Sequence, residues 1–107
     1  MATKIDIVAG DKGYALTFTL ENADGTAYDI TGAECALKVQ QQGSTDLAFT
    51  GVMAVTDAVA GQCEYIVLEG DFDDAGSYYA EIEVSGGDML VTFPDIVITA
   101  KPQLPRV

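Results

Sequence analysis

The fold is decided by the stretch Asp71-Phe72-Asp73-Asp74-Ala75-Gly76-Ser77-Tyr78-Tyr79-Ala80-Glu81-Ile82-Glu83-Val84. An acidic segment leads through a glycine into a strand whose alternate residues are apolar. Asp74, Gly76 and Tyr78 have the spacing of a tyrosine corner. In that motif a tyrosine near the start of a sandwich strand bonds back to the backbone of the preceding loop. We predict that these three residues form such a structural corner.

Similar alternation extends on both sides of this stretch. It is clearest over residues 14–20, and roughly seven to nine short segments of this kind, separated by turns, predict an all-β protein. With the corner, the pattern predicts an immunoglobulin-like antiparallel β-sandwich. We expect one domain over residues 1–100 and an extended tail over residues 101–107. Pro94 predicts an edge position or a bulge in the last strand, and Gly51 indicates a bulge within residues 47–56.

The composition excludes several classes of partner. The chain has 107 residues, with 17 acidic against 5 basic side chains, and a net charge of −12. Without a Lys/Arg cluster it is not expected to bind nucleic acid or an anionic membrane surface. It has no apolar run of about 20 residues and no apolar signal-peptide core, so we expect it to be made in a cytoplasm and not exported.

Catalytic chemistry has little support in the sequence. The chain contains no histidine, which rules out Ser-His-Asp and Cys-His arrangements, and Cys35 and Cys63 alone do not make a zinc site. Both cysteines fall on apolar faces, so a disulfide between them is conceivable, but two buried free thiols are the favoured reading for a cytoplasmic product. We predict that the chain is not an enzyme and has no cofactor.

An acidic loop, defined here as residues 69–74, is the sharpest candidate for a binding site. Its Glu69, Asp71, Asp73 and Asp74 side chains supply the hard oxygen ligands that calcium prefers. The alternative is a solvated, turn-forming loop in which Asp74 bonds to local backbone. The spacing lacks the rest of a known calcium loop, which favours the second interpretation.

The order of several short motifs resembles the N-terminal domain of phage baseplate upper proteins. The first is Gly10-Asp11-Lys12-Gly13 followed by a strand through Leu20, and the second combines Asp24-Gly25-Thr26 with Asp29-Ile30-Thr31-Gly32-Ala33. The corner segment from Phe72 to Glu81 follows, and then Phe93-Pro94. The resemblance extends over residues 4–99.

The resemblance implies a structural module of a phage virion, located in the tail, baseplate or fibre or decorating the capsid. Its partners would be other virion proteins and copies of itself, bound by protein–protein docking, with contact to the host surface as a further possibility. The alternative is a recognition module that binds a host protein or glycan through its loops, with or without calcium.

Overall fold

The computed structural model describes residues 3–104. This part of the chain contains seven strands and no helix that could cross a membrane. The strands are β1 Thr3–Val8, β2 Ala15–Thr19, β3 Glu34–Gln41, β4 Leu47–Asp57, β5 Gln62–Ile66, β6 Gly76–Gly86 and β7 Met89–Lys101.

The strands follow the order β1-β7-β6-β3-β4-β5-β2. This sheet curls over so that its two halves face each other, which confirms the predicted all-β sandwich. One pair differs from the antiparallel prediction, because β1 runs parallel to β7, with Thr3 beside Ile96 and Val8 beside Lys101. The two strands come from opposite ends of the sequence, so no hairpin turn forces them to be antiparallel.

Strand β4 belongs to both halves of the sandwich. Its residues 47–53 pair with β3, and from Ala54 onward it pairs with β5. The register shifts once on each side, which leaves Ala48 and Thr56 as the extra residues on β4. The bulge predicted at Gly51 is therefore wrong in its position. Gly51 is regularly paired with Leu37, and a Cβ atom there would lie 2.1 Å from Cε1 of Tyr65.

The predicted interruption at Pro94 is confirmed as a bulge. On β6 only Glu81 lies between Ala80 and Ile82, whereas their partners on β7, Ile96 and Phe93, have two residues between them. Asp95 takes a φ of 68° at this point. Because β1 covers β7 only from Ile96 onward, the missing N–H of Pro94 stands where the ladder is already irregular.

The core lies between the two halves and is made by the alternating residues of every strand. Its most completely buried members include Leu37, Val39, Ile82 and Ile98. Phe72, from the acidic loop, is also buried, and its ring packs edge-on against Phe49 and Tyr78 at centroid distances of 5.2 and 5.1 Å. The acidic loop is thus anchored to the core from inside.

Strand β7 extends to Lys101, the first residue of the predicted tail. Lys101 belongs to β7, and its carbonyl oxygen accepts a hydrogen bond of 2.9 Å from the Ala9 N–H. Residues 102–104 follow β7 outside any strand, and Leu104 is exposed. The predicted tail positions 105–107 lie outside the described residues.

Candidate functional site

The Tyr78 side chain connects β6 to the acidic loop. Its hydroxyl donates a hydrogen bond of 2.7 Å to the carbonyl oxygen of Asp74. Gly76, between them, has a φ of 138°, a conformation that glycine adopts without steric cost. Burial raises the pKa of Tyr78, and the Asp74 carboxylate adds to the effect. This is the geometry that the spacing of Asp74, Gly76 and Tyr78 predicts.

The acidic loop is held by a second tyrosine that the sequence did not single out. Oδ2 of Asp71 accepts hydrogen bonds from the Tyr65 hydroxyl, at 2.5 Å, and from the Leu68 N–H, at 2.8 Å. Burial raises the pKa of Tyr65, and Asp71 raises it further, because an anionic tyrosine cannot donate that bond. Asp71 therefore serves to close its own loop.

The four candidate calcium ligands do not come together. Within residues 3–104, no three acidic or other metal-binding side chains lie close enough to hold an ion. Asp71 is bonded to Tyr65, and Glu69 forms an ion pair of 3.4 Å with Lys12 in which both side chains are largely exposed. Asp74 contributes its backbone carbonyl to Tyr78, and nothing places Asp73 with the others. The arrangement suits a structural loop.

Cys35 on β3 and Cys63 on β5 are free thiols, both buried. They face each other from opposite halves of the sandwich. Burial raises the pKa of both, and that of Cys63, which also faces the Cys35 thiol, rises to about 12. Because the thiolate is the reactive form, neither cysteine suits nucleophilic chemistry at neutral pH.

A groove opens where β4 leaves β5. It has a volume of about 410 Å³. Tyr65 and Gly51, both buried, contribute to its lining, and the remaining lining residues are Thr50, Val52, Ala54, Glu64, Ile66 and Leu68. Val52 is 89% exposed and Leu68 61% exposed. Large apolar side chains this exposed, grouped beside one groove, are typical of a contact surface.

A second cleft, of about 390 Å³, lies where the end of β2 approaches the Pro94 bulge. Its lining combines apolar residues, such as Phe18, Phe93 and Ile96, with the polar Thr17, Glu21 and Asn22. The cleft therefore has the mixed apolar and polar lining of a small binding site.

The acidic loop was the candidate binding site selected from the sequence, whereas the exposed apolar residues of the groove were not predicted. Ile66 lies on the outward face of β5, and Leu68, two residues later, is exposed as well. Apolar residues on the outward face of a strand could have indicated a contact surface. Whether another strand covers them depends on long-range pairing, which the local sequence does not show.

Comparison with known families gives a match over nearly the whole chain. A family model described as the BppU N-terminal domain, the N-terminal domain of baseplate upper proteins, matches residues 1–103. No curated protein matches the chain.

Proposed function

We propose that the chain acts in the phage virion as a docking module without catalytic activity. The chain belongs to the BppU N-terminal domain family, and the proposal proceeds from that membership. Membership in this family of phage baseplate domains supports a structural role in a phage. The finer part of the proposal is how it works: one surface of the sandwich binds a neighbouring virion protein, and several copies on a particle bind together.

The observation that carries the proposal is the family match over residues 1–103. The surface supports the proposal, because covering exposed apolar side chains with a partner removes them from water and lowers the free energy. Val52, Leu68 and Leu104 are each more than half exposed. A rigid sandwich with such residues on strands and adjoining segments is suited to docking, since little conformational entropy is lost on binding.

The tail from Pro102 onward is part of this proposal. Pro102 and Pro105 favour an extended backbone, which can lie along a neighbouring copy or another virion protein. Up to Gln103 the tail runs beside the domain, where the Gln103 side-chain amide donates a hydrogen bond of 3.3 Å to Asp11. Deletion of residues 102–107 should therefore leave the sandwich folded and weaken assembly.

The test is incorporation into particles. A tagged copy of the chain is expressed from a plasmid during infection by the phage that encodes it, and virions are purified on a density gradient. The tagged chain should migrate with the particles, and its amount per particle should fall when residues 102–107 are removed. A tagged wild-type chain that remains entirely with free protein would refute the virion role.

A further inference from the structure

The first half of β4 is an uncovered sheet edge. Residues 47–53 pair with β3 on one side, and β5 joins β4 only from Ala54 onward. No strand within residues 3–104 covers the other side of 47–53. Every second residue of this edge therefore presents its N–H and C=O groups outward, which is the arrangement that accepts an added strand.

This edge lacks the usual protection against strand addition. Exposed edges are normally blocked by charged residues or proline, and residues 47–53 contain neither. The Ala48 bulge disturbs only one end, because the register from Phe49 to Met53 is regular. The open ladder therefore extends over about five residues, enough for a short strand of common length.

The groove between β4 and β5 lies directly beside this edge. Val52 stands on one side of it and Ile66 and Leu68 on the other, all three exposed. A strand added along residues 49–53 would carry its alternate side chains over this groove, because successive side chains of a strand point to opposite faces. The same segment of the partner would then pair its backbone with residues 49–53 and bury its apolar side chains in the groove.

Charge distinguishes two candidate partners for this edge, a second copy of the chain and a segment of a different protein. Among the described lining residues of the groove Glu64 is the one that carries a charge, and Asp46 precedes the edge. A second copy of the chain would bring another net charge of −12 to this acidic rim. A segment from a different protein, with apolar residues at alternate positions and Lys or Arg at its flanks, complements it.

We infer that residues 49–53 of β4 accept an extended, basic-flanked segment of another virion protein as an added strand, with its apolar side chains covering Val52, Ile66 and Leu68. This inference rests on the proposed docking function and adds to it the site and the chemistry of the partner.

The test compares two matched substitutions in the incorporation experiment. Leu68→Lys places a cation in the groove, and Leu90→Lys is its control, since Leu90 is 66% exposed on β7, outside the groove lining. Both change the net charge equally. Leu68→Lys should reduce the tagged chain per particle by about tenfold, whereas Leu90→Lys should match the wild type.

The possible outcomes are separable. Equal incorporation of both variants and the wild type overturns the site while leaving the docking function intact, and absence of the wild type from particles refutes the docking function itself. Thermal unfolding of each variant shows whether a loss reflects misfolding. If Leu68→Lys fails that check, Val52→Lys takes its place, with Val59→Lys as its control.

Two further measurements test whether a strand is added at residues 49–53 and whether it comes from a second copy of the chain. Hydrogen exchange on purified particles should show slower exchange of alternate amides in residues 49–53 than in the free chain, and unchanged exchange there overturns strand addition. Sedimentation of the free chain should give a monomer. A dimer that Leu68→Lys dissolves would show that a second copy is the occupant and overturn the choice of partner.

Discussion

Replacement of Tyr78 by phenylalanine isolates the single hydrogen bond on which the corner depends. The ring of Tyr78 is 3% exposed and packs edge-on against Phe72. Phenylalanine preserves that contact and removes only the hydroxyl, which donates the 2.7 Å bond to the Asp74 carbonyl oxygen. The substitution therefore changes one polar contact and almost nothing else.

The expected loss follows from the unsatisfied acceptor. The bond is part-buried, and leaving its acceptor without a partner costs about 1–3 kcal/mol. For a domain of this size each kcal/mol corresponds to about 4–8 °C in melting temperature. We expect Tyr78→Phe to lower the free energy of unfolding within that range and to leave the urea m-value unchanged.

Tyr79→Phe is the matched control. Tyr79 is the next residue on the same strand, is 47% exposed, and its hydroxyl makes no hydrogen bond among the described residues. Its loss should change the free energy of unfolding by less than about 0.5 kcal/mol. If the two variants unfold at the same urea concentration, the Tyr78 hydroxyl does not stabilise the loop, and the structural importance given to the corner is wrong.

Four further outcomes follow from the same loop and core. Gly51→Ala should destabilise the domain by about 2 kcal/mol or more in urea unfolding, because the added Cβ atom displaces Tyr65 from its bond to Asp71. Stability should fall above pH 10, since the folded pKa of Tyr65 lies above its ordinary value of 10.0 and the unfolded chain loses that proton first; Tyr65→Phe should flatten part of the decline. Ellman's reagent at pH 8 should leave Cys35 and Cys63 unmodified until urea exposes both; fast labelling of the folded protein would contradict their burial. Calcium should not raise the melting temperature, whereas a site held at a hundredfold excess over its Kd would add about 2.7 kcal/mol and restore the calcium interpretation of the acidic loop.

Local sequence patterns were sufficient where the determining contacts are close in sequence. The corner depends on a hydroxyl and a carbonyl four residues apart, so its spacing alone predicted the bond from Tyr78 to Asp74. The bulge near Pro94 was predictable for a similar reason, because proline lacks an N–H wherever it stands. The alternation within each strand likewise indicates which side chains share a face, since a side-chain period of two does not depend on the neighbouring strand.

The position of β4 was not predictable, because it depends on which strands are its neighbours. Gly51 reads as a bulge in the sequence, yet its register with Leu37 is regular and the ring of Tyr65 lies against it. That contact joins residues on different strands, and no pattern within residues 47–56 contains it. The parallel pairing of β1 with β7 has the same origin, since it joins the two ends of the domain.

The net charge of −12 affects how the uncovered edge of β4 meets other molecules. Edges are usually protected by charge on the edge itself. Here residues 47–53 carry none, and the acidic side chains elsewhere on the domain supply a repulsion that acts between copies at a distance. Such repulsion does not oppose a basic partner. If residues 49–53 accept an added strand as we propose, this charge distribution favours a basic partner over a second copy of the chain.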